Sequence, residues 1–240
     1  MRFALKTPPH HTSWDDLLAL WLAADDIDVF ESAWLFDHFY PVAGDPVGPC
    51  LEAWVTLSAL AQATRRLRLG TLVTANVYRH PAVLAKMAAT LDVVSGGRLE
   101  LGLGAGWNER ECDAYGIHLG PVAERFDRLE EALCVLLGLF ENETTTFDGR
   151  HYQLRDARGD PRPLQRPHPP IGIGGAGERR TLRAVARYAD HWNLLVESAH
   201  LADPTRMARS HHTEMRPCRV EDYPAKLEVL AAHCRDAGRP

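Results

Sequence analysis

Long hydrophobic runs are missing from this chain. None approaches the ~20 residues that a membrane helix needs, and the start, Met1-Arg2-Phe3-Ala4-Leu5-Lys6-Thr7-Pro8, lacks the apolar stretch of a secretory signal. A cytoplasmic protein is the expectation, with no membrane partner. Cysteine is scarce and odd in number, five in all, with no C-x-x-C pair. Neither a disulfide framework nor a zinc cage is therefore expected. Cys50 and Cys134 fall in apolar helical patterns and read as small buried hydrophobes. The vicinal pairs His10-His11 and His211-His212 lack metal-ligand spacing, so no metal site is expected. Positive charge is also in deficit: 27 Lys and Arg against 32 Asp and Glu give a formal net charge of −5. Nucleic acid held by bulk phosphate neutralisation is not an expected partner. There is no low-complexity tract and no repeat of solenoid period.

What remains is ordinary globular composition, 45% hydrophobic and 25% charged over 240 residues, enough to bury a core. Short apolar runs alternate with longer amphipathic ones. Strands are predicted over 2–6, 32–36, 67–74, 99–103, 171–174 and 191–196, and helices over 13–24, 50–63, 81–94, 122–140, 178–188 and 224–236. Ser13 is placed to cap the first helix, Pro81 sits at a helix N1 position and Gly96-Gly97 closes that helix. Asp148-Gly149 between β-formers suggests a hairpin over 144–154, followed by a proline-stiffened loop over 156–170. The segment 204–220 looks irregular.

Strands apolar on both faces, alternating with helices, mean a parallel sheet covered by helices. A TIM-type (β/α)8 barrel and a doubly wound open sheet both satisfy that pattern. About six βα steps are visible, fewer than a complete barrel has. One α/β domain over 1–240 is expected, with a hairpin and loop insertion around 141–168.

In a parallel barrel the C-terminal strand ends make the site. Those positions here hold Thr7, Asp37-His38, Thr74-Ala75-Asn76, Gly104-Ala105-Gly106-Trp107-Asn108-Glu109, Gly174-Gly175-Ala176-Gly177 and Glu197. Any one of them, taken alone, reads first as a satisfied loop residue. Their joint placement is the stronger signal. Asp37 and His38 suit proton handling, with the carboxylate fixing the imidazole tautomer. Helix capping is the competing role for that pair. Arg79-His80 at a helix start could face an anionic group or simply be solvated. The run Gly172-Ile173-Gly174-Gly175-Ala176-Gly177 leads from a strand into a helix, where bare backbone and a helix N-terminus suit phosphate. It also matches G-x-G-x-x-G, with Glu197 at ribose-contact spacing. That dinucleotide motif, however, normally opens its βαβ unit, and too little chain follows here to complete the fold.

Taken together, Asp37-His38-Phe39-Tyr40, Thr74-Ala75-Asn76-Val77-Tyr78-Arg79-His80-Pro81, Ser95-Gly96-Gly97-Arg98-Leu99-Glu100-Leu101-Gly102, Gly104-Ala105-Gly106-Trp107, Pro169-Pro170-Ile171-Gly172-Ile173-Gly174-Gly175 and Arg187-Tyr188-Ala189-Asp190-His191-Trp192-Asn193 resemble the luciferase-like oxidoreductases, in the branch that uses the deazaflavin coenzyme F420. The resemblance implies a TIM-type barrel binding F420, or alternatively FMN, at its C-terminal end. Carried over by position, Asp37 and His38 would be catalytic and lie near the cofactor ring. Thr74, Ala75 and Asn76 would form the strand-end bulge, often with a non-proline cis peptide, that supports the ring. Gly106 and Asn108 would contact the cofactor, and Gly174, Gly175, Ala176 and Gly177 would cradle its phosphate. The implied activity is hydride transfer between the deazaflavin and a small-molecule substrate, in a homodimer. An FMN-dependent monooxygenase served by a reductase is the alternative. Asp28-Val29 and Ala75 stand where the family more often has glycine. The chain ends at Gly238-Arg239-Pro240, where relatives continue. An incomplete barrel is thus expected, closed by a partner subunit or left as a non-catalytic cofactor-binding or subunit-pairing protein.

Overall fold

Leu99, Leu101 and Leu103 of β5 (Leu99–Gly104) are all fully buried, as are Ile171 and Ile173 of β8 (Ile171–Gly174). Strands so apolar must sit in the middle of a sheet covered on both sides. The computed structural model, which describes residues 3–197 and 218–239, has that arrangement. The remaining strands of the sheet are β1 (Phe3–Thr7), β2 (Phe30–Leu35), β3 (Arg68–Thr71), β4 (Thr74–Ala75) and β9 (His191–Asn193). The order is β1-β2-β3-β5-β8-β9, every pairing parallel, with β4 extending the β5 ladder beyond β3.

Strand order follows chain order without reversal, which excludes the doubly wound alternative, where the order turns back at a switch point. The sheet is a curled parallel half-barrel, an incomplete (β/α) barrel among the described residues. Its covering helices are α1 (Trp14–Asp25), α2 (Ala53–Ala63), α3 (Pro81–Val94), α4 (Glu109–Ala114), α5 (Val122–Glu141), α6 (Thr181–Tyr188) and α7 (Tyr223–Asp236). The hairpin β6 (Thr144–Asp148) with β7 (Gln153–Arg158) lies between α5 and β8, and β10 (Val196–Glu197) pairs with β11 (Cys218–Arg219).

Local chemistry sets the boundaries. Ser13 caps α1, its hydroxyl accepting the Asp16 N–H at 3.1 Å. Trp21 of α1 is fully buried and donates from Nε1 to the Thr7 hydroxyl at 2.9 Å, tying α1 to the end of β1. Pro81 opens α3 with His80 as its cap. α5 buries Leu129, Leu133, Leu136 and Phe140 along one stripe.

Several expected elements are corrected. The helix expected over 50–63 begins at Ala53, because the Glu52 carboxylate accepts the Val55 N–H at 2.7 Å and caps it there. Cys50 instead bridges His10 and is only half-buried, as is Cys134. The single strand expected over 67–74 breaks at a cis Leu72–Val73 bond into β3 and β4. Val73 leaves the ladder there because Gly102, Gly104 and Gly174 leave a hollow that it fills. A Cβ on any of the three would meet Val73 methyls within 3.2 Å. A Cβ on Gly102 would also stand 2.0 Å from the Thr71 carbonyl oxygen, so only glycine admits that crossing. The helix expected over 178–188 starts three residues later, at Thr181, after a turn. The strand expected over 191–196 is split between β9 and β10, and β7 runs to Arg158 through the start of the expected loop. α4 was not anticipated. Most of the segment 204–220 lies outside the described residues.

Candidate active site

Every strand of the parallel sheet presents its C-terminal end on the same side, so the segments after β2, β4, β5 and β8 share one mouth. Asp37 and His38 follow β2. Tyr78 and Arg79 follow β4, Trp107 and Asn108 follow β5, and Glu111 lies in the first turn of α4.

Glu111 organises this mouth. It is fully buried, and its Oε2 lies 2.7 Å from His38 Nδ1 and accepts the Tyr78 hydroxyl. Its Oε1 accepts the backbone N–H of Tyr40 at 3.1 Å and that of Phe39. Burial pushes the carboxyl upward, but hydrogen bonds from His38, Tyr78 and Phe39 together with the His38 charge outweigh it and hold the pKa below the ordinary glutamate value. An ionised Glu111 makes Nδ1 of His38 the donor, leaving Nε2 to exchange protons. Burial, then the bond to Glu111, raises the Tyr78 phenol well above its usual range. Trp107 meets the His38 ring edge-on at 5.3 Å, and Phe39 packs on Tyr78 at 4.8 Å between ring centres.

The tautomer-fixing partner of His38 is therefore Glu111 and not Asp37. Asp37 is held instead by the Arg79 fork, at 2.6 and 3.1 Å, and Arg79 also bonds Glu52. This bidentate geometry commits both carboxylate oxygens of Asp37. Arg79 thus faces an anionic group of its own chain. Cys50 donates its thiol to the His38 carbonyl at 3.1 Å, and burial followed by the charges of Glu111, Asp37 and Glu52 lifts its pKa to about 12, so it stays a thiol.

The expected cofactor contacts divide. Thr74 is fully buried and its hydroxyl is engaged by Trp54 Nε1 at 2.9 Å and by the Thr71 hydroxyl at 2.8 Å. Ala75 is buried beside it. Asn76 is 1% exposed, donates Nδ2 to the Tyr152 hydroxyl at 3.2 Å, and keeps a buried Oδ1 with no partner among the described residues. Gly106 turns the chain with φ +88°, and Asn108 spends its Oδ1 on the Glu111 N–H at 3.2 Å, capping α4. The cis bond lies at Leu72–Val73, just ahead of the bulge expected at Thr74-Ala75-Asn76.

At the other side of the mouth, Gly175 and Gly177 are exposed. Gly175 has φ +130° and donates its N–H to the Asn193 carbonyl at 3.0 Å, prolonging the ladder. Thr181 closes over this loop: a Cβ on Gly177 would stand 2.9 Å from its hydroxyl. Lys226 of α7 places its ammonium 3.0 Å from the Ala176 carbonyl and 3.0 Å from Glu178. Among the described residues no group of three or more His, Cys, Asp or Glu could hold a metal ion, and no helix is long and apolar enough to cross a membrane. A hollow of about 440 Å³ beside α4 is lined by Glu109, Cys112, Asp113, His118 and Arg125.

Sequence reasoning missed Glu111 and Tyr78. A signal for the first was present: Asn108-Glu109-Arg110-Glu111 has the N-cap to N3 spacing of a capping box. In the fold Glu111 does not turn back to the cap but reaches His38.

The described fold and mouth can be set beside known proteins. The F420-dependent glucose-6-phosphate dehydrogenase of Amycolatopsis mediterranei (strain U-32) is 33% identical over 92% of this chain and 66% of its own length. The pyrimidine monooxygenase RutA of Allorhizobium ampelinum is 33% identical over 59% of this chain and 38% of its own. The chain thus spans between 38% and 66% of the length of these two curated relatives. Among solved structures, an F420-dependent secondary alcohol dehydrogenase in complex with an F420-acetone adduct superposes with a TM-score of 0.76 at 24% identity, over 100% of this chain and 65% of that one. The family model described as luciferase-like monooxygenase matches residues 1–212, and the chain belongs to that family.

Proposed function

We infer that the protein is an F420-dependent oxidoreductase that moves a hydride between the deazaflavin and a small organic substrate. The observation that carries this reading is the buried Glu111–His38 pair at the mouth of the half-barrel. The relative named an F420-dependent glucose-6-phosphate dehydrogenase, 33% identical over 92% of this chain, supports the choice of cofactor.

The residues present fit F420 on two counts. Asn76 Oδ1 is a buried acceptor with no donor among the described residues, the state expected of a group awaiting a ligand donor. The loop over Gly174-to-Gly177 exposes Gly175 and Gly177, where a phosphate would lie, and the Lys226 ammonium beside Ala176, 3.0 Å from the Glu178 carboxylate, brings a cation there. When bound, F420 supplies a ring carbon that takes or gives a hydride. The chain supplies the proton: His38, oriented through Nδ1 by Glu111, takes a hydroxyl proton at Nε2 during oxidation or returns one during reduction. Trp107 and Tyr78 wall the imidazole and limit water around it.

Titration of the purified protein with F420 tests the reading. A fluorescence change saturating at micromolar cofactor is the expected result, and an unchanged signal removes it. The similarity to a pyrimidine monooxygenase favours a second reading, an FMN-dependent monooxygenase fed by a reductase. FMN that co-purifies, with oxygen consumed only when reduced flavin is supplied, would select that one. A homodimer belongs to either reading, and sedimentation analysis checks it.

A further inference from the structure

Arg79 is a largely buried charge to which the chemistry above gives no task. Its side chain is 13% exposed, and the Asp37 carboxylate that it grips is not exposed at all. The grip is a fork: Nη1 donates to Asp37 Oδ2 at 2.6 Å and Nη2 to Oδ1 at 3.1 Å, while Nη2 also bonds Glu52. Asp37 immediately precedes His38, and Arg79 immediately follows Tyr78. His38 and Tyr78 both bond Oε2 of Glu111. Two dipeptides, Asp37-His38 after β2 and Tyr78-Arg79 after β4, are therefore joined twice, once through Glu111 and once through the ion pair. The bonds close a ring, and His38 is a member of it.

The stretch from Asp37 to Tyr40 lies beyond the end of β2, in neither helix nor strand, so no ladder holds it. Side chains hold it instead. Arg79 takes the Asp37 carboxylate, Cys50 donates its thiol to the His38 carbonyl at 3.1 Å, and Glu111 accepts the Phe39 and Tyr40 N–H groups. On the other side, Arg79 directly follows the single turn Asn76–Tyr78. The ion pair thus ties the turn that begins with Asn76 to the residue beside His38. As a source of stability a buried ion pair is a poor device, because desolvation cancels most of the attraction. As a means of fixing a register it is a good one, because a guanidinium fork meets a carboxylate in one plane and one direction.

We propose that Arg79 is a positioning residue, whose fork to Asp37 sets where the His38 imidazole stands relative to a cofactor carried on the Asn76 turn. This rests on the F420 reading of that turn. Arg79 acts through Asp37. Glu111 fixes which nitrogen of His38 bears the proton, and the Arg79 fork fixes where the ring is presented. Both are needed, because proton transfer depends on geometry before it depends on basicity.

The test is nitrogen NMR of histidine-labelled whole protein near neutral pH, with and without F420. In the wild type His38 is expected as a single Nδ1–H tautomer, and its Nε2 resonance is expected to move when F420 binds. Arg79→Lys keeps the charge but offers no fork. It should bind F420 within about threefold of the wild-type affinity, yet show mixed His38 tautomers in the free protein and lose most of the response to F420. Asp37→Asn, whose amide has a single acceptor oxygen, should behave in the same way. Glu52→Gln keeps an acceptor for Arg79 and leaves the fork intact, so its His38 signals should match the wild type. A Lys variant that keeps the wild-type tautomer and the wild-type response to F420 makes the pair a structural one and overturns the assignment. So does a Glu52 variant that disturbs His38 as much as the Lys variant does. If the Lys variant fails to fold, Asp37→Asn decides by the same two signals. Failure of the wild type to bind F420 strikes the oxidoreductase reading instead, and the clamp is then judged on the His38 tautomer of the free proteins.

Discussion

Glu111 Oε2 and His38 Nδ1 stand 2.7 Å apart although 73 residues separate them in the chain. The contact exists because α4 starts immediately beyond β5 and Asn108 fixes its first turn, swinging Glu111 back over the end of β2. Four donors converge on one carboxylate: the imidazole, a phenol and two backbone N–H groups. Such convergence keeps the carboxylate ionised in a dry setting and holds the imidazole's proton on Nδ1, leaving Nε2 to exchange protons.

Glu111→Gln should therefore cost activity far more than cofactor affinity. An amide offers one acceptor oxygen and two donor hydrogens, so it cannot receive all four bonds and no longer holds His38 in one tautomer. Turnover is expected to fall about a hundredfold, in the range typical of general acid–base groups, with F420 affinity within a few-fold. Tyr78→Phe, which removes one of the donors, should cost less. Steady-state kcat beside a fluorescence titration separates the two effects, and wild-type kcat in the Gln variant would take the pair out of the chemistry.

Acid should destabilise the fold in two overlapping steps. His10 has a folded pKa of about 4 against an ordinary value of 6.5, so the unfolded chain binds its proton first and stability falls as pH drops from about 6.5 towards 4. Glu111 is depressed below 4.5, so its contribution is present above that value and is lost at still lower pH. Both slopes have the same sign. Urea midpoints measured from neutral pH downwards should decline through the upper window in wild type and stay flatter there in His10→Gln. A midpoint that rises on acidification through that window contradicts the burial of a neutral His10.

The parallel sheet was legible because its strands are apolar on both faces and its helices carry start signals such as the Ser13 cap and Pro81 at N1. The mouth was legible in outline, since polar and glycine residues gather at the strand ends. Local pattern could not show which carboxylate meets His38, because Asp37 is its neighbour in sequence while Glu111 arrives by a long-range turn. Nor could it show the break at Leu72–Val73. The apolar run continues through it, and the departure depends on space left by three glycines on other strands. The late start of α6 has the same origin, with Thr181 packing onto the glycine loop where the pattern alone extends the helix.

Arg98 marks the opposite end of the sheet, just ahead of β5. Its guanidinium donates to the Ser95 carbonyl at 2.7 Å, the Leu67 carbonyl at 2.8 Å and the Thr64 hydroxyl at 3.1 Å. Arg98→Ala strands these acceptors and should cost about 2–4 kcal/mol of folding stability. F420 affinity should not change in the protein that remains folded, since residues at strand N-terminal ends serve stability. Chemical unfolding and a cofactor titration on the same sample check both halves.

Asn76 reverses that pattern, and its side chain gives the sharpest test of where the cofactor sits. An acceptor oxygen buried without a partner is a standing cost to the fold, of the order of 1–3 kcal/mol. Asn76→Ala removes the cost together with the one bond that Nδ2 makes to Tyr152, so the gain and the loss offset and the unfolding midpoint should move little. If Oδ1 is kept for a donor on the cofactor, the same substitution should weaken F420 binding about tenfold, the worth of a buried hydrogen bond. Unchanged stability with weakened binding is the signature of a group held at the fold's expense for a ligand. Unchanged binding would mean that the bulge after β4 supports the cofactor, if at all, through its backbone alone.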